Sequence, residues 1–291
     1  MTGLRPAEWP GWLLLATVGL GGASIGSFLN VVIARLPAGQ SVVTPRSRCP
    51  RCGHQIAWYD NLPVLSWLLL RARCRGCRAP ISLRYPLVEL AGGAAAVLAL
   101  ARNGPTARAL AEFTLVALLL ALAAIDLDTW LLPHRLTWPL LGLGLVAAAL
   151  GVAPAPSLGS AALGAAIGFG AFALVSLVGE RLLKKEALGF GDVFLLGGLG
   201  AWLGVGSLLP VVLLASVQGS VVGVALILVG RSQPGPDAGG EPVPPAAGEE
   251  APWVPPRHAL PFGPFLVAGG LEWLWLGDWL GATVPLIGVF R

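Results

Sequence analysis

Three stretches of this chain run without a charged residue for longer than a lipid bilayer is thick: Trp9 to Ala34, the segment between Arg135 and Glu180, and Val193 to Gly230. A hydrocarbon core of about 30 Å needs roughly 20 apolar residues in a helix. Inside it every backbone N–H and C=O must be satisfied within the segment, so helices are the simplest solution. With 55% hydrophobic and only 12% charged residues in 291, and a mean hydropathy of +0.76, two soluble domains do not fit. The expected fold is an all-α polytopic membrane protein. A net charge of +4 is too mild for a polyanion partner, so no nucleic acid is expected.

The first span is expected from about Gly11 to Val32. It is long for a signal-peptide core, and Ser27-Phe28-Leu29-Asn30 offers no small-x-small cleavage site. Further spans are expected near Pro86–Leu100 and Ala109–Ile125, each interrupted by one acid, Glu89 and Glu112. Pro154 and Pro156 divide the stretch after Arg135 into two helices, and Gly204 to Pro210 divides the stretch after Val193. A last span is expected over about Leu260–Trp279, giving about eight transmembrane helices. The spacing Gly164-Ala-Ala-Ile-Gly168 suggests helices that pack backbone to backbone.

Eight spans put residues 35–84, 126–136, 180–192 and 230–258 on one side of the membrane, and these hold 15 of the 19 Lys and Arg. The positive-inside rule makes that side cytoplasmic. The expected organisation is a first transmembrane helix (1–34), a cytoplasmic four-Cys domain (35–84), a membrane core (85–229), a Pro/Gly-rich cytoplasmic linker (230–258), and a last helix with its tail (259–291). The linker is too poor in large apolar residues to fold or to carry chemistry.

The four cysteines form two pairs, Cys49-Pro-Arg-Cys52 and Cys74-Arg-Gly-Cys77, with 21 residues between them. That spacing is close to a zinc ribbon, and Gly53 and Gly76 are expected at or beside the tight knuckles. A reducing cytosol favours a thiolate metal site over disulfides, with free thiols the remaining alternative. Four sulfur ligands leave no open position, so zinc here would be structural. Between the pairs, Trp58 to Leu70 is apolar but broken by Pro63 and too short to span. It is expected to rest on the membrane surface or to pack on the ribbon, and the competing reading is the plain hydrophobic core of a domain of about fifty residues.

Three acids lie where apolar spans meet the cytoplasmic side: Asp126, Asp128 and Asp192, the last within Gly189-Phe-Gly-Asp192. Carboxylates at that depth usually have a partner or a task. The spacing of 126 and 128 puts those side chains on different helix faces, so one of them should point into the bundle. Two carboxylates from different helices that share one water supply the base and the acid of an aspartic protease. Helix capping or solvation in a loop is the competing reading.

Taken in order, these segments resemble the type IV prepilin leader peptidases, bifunctional membrane enzymes among the Gly-x-Gly-Asp aspartic proteases. The resemblance rests on Gly26-Ser-Phe-Leu-Asn-Val-Val32, the two Cys pairs, Pro80-Ile-Ser82 and Arg84-Tyr-Pro-Leu-Val-Glu89. It continues through Ile125-Asp-Leu-Asp128 ahead of Leu131-Leu-Pro133, Gly189-Phe-Gly-Asp192, Leu199-Gly-Ala-Trp-Leu-Gly204 and Leu260-Pro-Phe-Gly-Pro-Phe265. It implies a catalytic pair of Asp126 and Asp192, with Asp128 outside it. It also implies a structural zinc held by Cys49, Cys52, Cys74 and Cys77.

The implied activity is removal of the leader of type IV prepilins or type II secretion pseudopilins on the cytoplasmic face of the bacterial inner membrane. The substrate would enter from the lipid bilayer. N-methylation of the new N-terminal residue with S-adenosylmethionine would follow. No Gly-rich loop marks the place of the methyl donor, whose expected vicinity is the zinc segment with Glu89 and the first span.

The sequence departs from the family pattern at Phe194, where a Lys is usual, and at His134, where an acid is usual. Phe194 is the support for a second reading, a catalytically impaired membrane assembly factor. A proton-coupled transporter would show inverted repeats, and none is evident.

Overall fold

The computed structural model describes residues 10–183, 189–229 and 260–283. The linker, and Lys184 and Lys185 of the charge asymmetry, lie outside the described residues. Among the described residues there are eight long helices: α1 (Gly11–Arg35), α3 (Arg84–Asn103), α4 (Ala107–Thr129), α5 (His134–Ala149), α6 (Leu158–Leu183), α7 (Phe190–Leu203), α8 (Leu208–Leu228) and α9 (Gly263–Thr283). A short α2 (Leu65–Leu69) lies in the segment after α1.

The breaks fall where the sequence places them. Gly151 takes φ +68° after α5, and Gly204 takes φ +85° after α7, conformations that disfavour any side chain. Five of the long helices, α1, α3, α4, α6 and α8, are each long and apolar enough to cross a bilayer. Helix α5 has 16 residues with Pro139 inside it, and α7 has only 14.

The short α7 is the axis of the bundle. Every residue from Asp192 to Leu203 is buried, because α5, α6 and α9 surround it. A helix covered on every side needs no polar face, and past Asp192 α7 is apolar all round. Trp202 fills the junction with α5 and donates its indole N–H to the Leu140 carbonyl at 2.7 Å.

Gly164 of α6 and Gly200 of α7 touch backbone to backbone, so a Cβ on either would collide with the other's carbonyl. Gly168 likewise faces the Leu196 carbonyl, which a Cβ would approach to 2.8 Å. In lipid, where apolar side chains gain little from leaving the solvent, this close approach and its dispersion energy hold the pair together. Gly200→Ala must therefore separate α6 from α7 at a cost of about 3 kcal/mol. The check is a lower midpoint of reversible unfolding in detergent.

The acids that interrupt α3 and α4 are buried and paired. Glu112 accepts from Asn103 Nδ2 at 2.6 Å and from Trp275 Nε1 at 3.1 Å, and its carboxylate lies 3.5 Å from Arg102 Nε. Glu89 accepts the Val64 amide at 2.7 Å, which ties the four-Cys segment to α3. Val64 holds φ +61°, so this bond anchors a strained turn.

The apolar segment between the Cys pairs forms a 3₁₀ turn (Trp58–Asn61) followed by α2. Trp58 and Leu69 are both 80% exposed. Trp67 is bound to the segment itself, through its indole N–H to the Ile81 carbonyl at 3.2 Å. One side of this segment packs on the ribbon and the other presents a bare apolar surface.

Candidate active site and metal centre

The cysteine segment is two copies of one knuckle. In the first, the Cys49 amide donates to the His54 carbonyl at 2.9 Å and the Gly53 amide to the Cys49 carbonyl at 2.9 Å. In the second, Cys74 donates to Ala79 at 2.8 Å and Arg78 to Cys74 at 3.0 Å. Bridges between Arg48 and Gln55 and between Arg73 and Pro80 close both turns.

Gly53 and Gly76 both lie in the knuckles, and the left-handed residue is Gly53 (φ +68°) in the first and Arg78 (φ +59°) in the second. Gly76 is bare for a different reason: a Cβ there would sit 3.3 Å from His54 Cβ and 3.5 Å from Cys52 Sγ.

This symmetry brings all four sulfurs within 4.8 Å of one another, with Cys49 to Cys77 at 3.8 Å and Cys52 to Cys74 at 4.0 Å, and no disulfide. A tetrahedral ion with metal–sulfur bonds of about 2.3 Å needs sulfur–sulfur distances of about 3.8 Å. The cluster could therefore hold a metal ion, with two of its sulfur pairs already near that spacing. Knuckle amides act on the thiols: the N–H groups of Cys52 and Arg51 bring Cys49 down to about 6, and those of Cys77 and Gly76 lower Cys74. Cys52, despite the His54 amide, is pushed up to about 11 by desolvation and its three neighbouring thiols. Beside the cluster, Arg75 grips Asp60 with two hydrogen bonds at 2.5 and 2.7 Å and holds its carboxyl below the usual range.

Asp126 and Asp128 part company as their spacing requires. Asp126 is buried in the last turn of α4 at 5% exposure, whereas Asp128 faces outward and is ion-paired with Arg84 at the start of α3. Asp192, also buried, is the third residue of α7. Both buried carboxylates lie at the end of the bundle that carries the cysteine segment, within electrostatic reach of each other.

Three local features arrange them. Gly191 and Gly263 both lie against Leu132, in the connection between α4 and α5. Gly263, the first residue of α9, brings its backbone N–H onto the Asp126 carboxylate. Gly189 caps α7, accepts the Asp192 amide at 3.0 Å, and leaves the carboxylate room.

The roles of Gly263 and Leu132 are not visible in the sequence. The string Leu260-Pro-Phe-Gly-Pro-Phe265 marks the region but not the amide that meets Asp126. A Cβ at Gly263 would land on Asp126 Oδ2, the free end of a side chain, which can swing away. Gly263→Ala should thus cost little stability, within about 1 kcal/mol. It displaces the carboxylate and should slow any reaction there about 100-fold. Turnover measured beside a thermal melt separates the two effects.

Phe194 is 8% exposed, and aromatic rings surround it: His134 at 4.8 Å, Trp138 and Phe169 at 5.1 Å, and Phe190 at 5.7 Å between centroids. The two departures from the family pattern, at 134 and 194, thus touch each other. His134 packs edge-on against Phe194 as a structural ring.

Residues 20–103 match the family model described as Bacterial Peptidase A24 N-terminal domain, and residues 113–224 match Type IV leader peptidase family. A Prepilin leader peptidase/N-methyltransferase of Myxococcus xanthus (strain DK1622) is 45% identical, covering 91% of this chain and 90% of the relative. One of the same name from Burkholderia pseudomallei (strain 1026b) is 40% identical over 93% and 88%. A Type 4 prepilin-like proteins leader peptide-processing enzyme of Escherichia coli O78:H11 is 39% identical over 93% and 95%. No solved structure matches. With both halves matched in order and relatives of this identity covering nearly its whole length, the chain belongs to the type IV leader peptidase family.

Proposed function

We propose that this protein removes the leader peptide of type IV prepilins or pseudopilins and then N-methylates the new N-terminus. The observation that carries the hydrolytic half is the pair of buried carboxylates, Asp126 and Asp192, from two helices at one end of the bundle. One of the pair, ionised, takes a proton from a water, and the resulting hydroxide attacks the scissile carbonyl carbon. The other, protonated, donates to the carbonyl oxygen. Collapse of the tetrahedral intermediate breaks the C–N bond, and the departing amine takes up a proton. The Gly263 amide orients Asp126 through this cycle.

In the second half, the freed α-amine attacks the methyl carbon of S-adenosylmethionine. The C–S bond breaks with its electron pair passing to sulfur, and the methylated amine sheds a proton. An α-amine with its ordinary pKa near 8 is partly deprotonated at neutral pH and suits this step.

The metal at Cys49, Cys52, Cys74 and Cys77 is zinc in this reading, and it is structural. The eight helices all lie in the inner membrane, with the cysteine segment and the two aspartates on the cytoplasmic face. Three sets of facts support that placement: the asymmetry of Lys and Arg, the shared end of the bundle, and the exposed apolar face of Trp58 and α2, which suits an interface.

The test is a prepilin incubated with membranes containing the protein. The wild type should shorten it and Asp192→Asn should not. An intact precursor beside a folded wild type would sink the proposal.

A further inference from the structure

A cavity of about 530 Å³ opens between the end of α1, the start of α3 and the end of α4, with Asp128 in its wall. Its walls include Ile33, Ser82, Arg84, Tyr85, Asp128 and Leu131. None of these takes part in the hydrolytic pair. The volume suits a single drug-sized molecule, for which pockets of about 300–1,000 Å³ are usual.

The polar part of the wall is an ion pair of opposite charges, Arg84 and Asp128, with side chains 35% and 41% exposed. A pair so open to solvent contributes little to stability and opens readily for a ligand. Together its members carry no net charge. A basic leader peptide would meet Arg84 as well as Asp128 and gain nothing. A zwitterion suits them both: the guanidinium takes a carboxylate in a forked hydrogen bond, and the carboxylate takes an ammonium. Beside them Tyr85, 45% exposed, offers a ring face, and Ile33 and Leu131 supply apolar wall.

We propose that this cavity binds S-adenosylmethionine, with the donor's α-carboxylate on Arg84 and its α-ammonium on Asp128. The assignment rests on the methyl-transfer half of the proposed function. It also separates the two reactions in space. Asp126 is buried in the bundle, whereas Asp128, two residues on, turns towards α1 and α3.

The experiment is equilibrium binding to the purified full chain in detergent, with two probes: S-adenosylmethionine and its decarboxylated form. The wild type should prefer the carboxylated donor about tenfold or more, the worth of one charge-assisted contact. Arg84→Ala should lose that preference. Asp128→Asn should weaken both probes alike, because both keep the ammonium, and should leave the preference intact.

A variant that merely disturbed the fold would weaken both probes without this division. Arg84→Ala that keeps the full preference overturns the site. If Arg84→Ala does not fold, Asp128→Asn still decides, since unweakened binding of both probes would overturn it. A wild type that cuts leaders but binds neither probe refutes the methyl-transfer reading, and the site with it.

Discussion

Converting Asp126 and Asp192 to asparagine together should slow leader cleavage no more than converting either one alone. Each single amide should lower kcat about 10³-fold or more, because the two carboxylates act on one water as base and acid and neither half works without the other. Independent contributions would instead multiply. Stability should move the other way: an amide in place of a buried carboxylate removes charge from an apolar site, so the melting midpoint of each variant should match or exceed the wild type's. Single-turnover cleavage measured with thermal melts reads both quantities. Multiplicative losses in the double variant would mean that the aspartates serve separate steps.

Removal of the metal from the cysteine cluster has the second large effect. Structural zinc in small domains is bound with about 10–16 kcal/mol of apparent free energy. Residues 47–81 have no buried apolar core of their own: the two knuckles are short, Trp58, Leu65, Leu68 and Leu69 face outward, and the remaining ties are a few polar contacts such as Arg75–Asp60 and Trp67–Ile81. Cys49→Ser should therefore release the ion and open the segment to proteolysis at its many arginines. Methylation should fall more than hydrolysis, since the segment leads directly into Ser82, Arg84 and Tyr85 of the donor cavity, whereas the aspartates are carried by α4 and α7. Metal content, limited proteolysis and the two activities provide the comparison. Metal retained with equal activity in every assay would refute this role for the cluster.

Much of the fold is legible because a bilayer imposes simple rules. Length without charge marks the helices, and Pro and Gly mark the breaks at 151–157 and 204–210. Glu89 and Glu112 are harder to read, since their partners, the Val64 amide and Trp275, come from distant segments. The distinction between Asp126 and Asp128 follows from helical spacing, but the Arg84 partner of Asp128 does not.

Nor does the sequence reveal that α7 is the buried axis, since α8 reads as equally apolar and yet has a largely exposed surface. The difference lies in neighbours, which periodicity does not encode. The repeat of 47–56 in 72–81 is present in the sequence but hidden, because Gly53 is matched by Arg78 and only backbone dihedrals show their equivalence. Phe194 is the clearest case of a residue whose meaning changes with the structure. As an isolated departure it suggests lost activity, and as the hub of four other rings it is core packing.

The central claim is that a chain with Phe194 at this position still hydrolyses leaders through Asp126 and Asp192. The most direct measurement is N-terminal sequencing of a panel of prepilins after incubation with the purified wild-type protein. The account predicts one new N-terminus, at the boundary between the leader and the apolar helix, and none with Asp126→Asn. Precursors left intact by a wild type that keeps its metal and its helical content would contradict it.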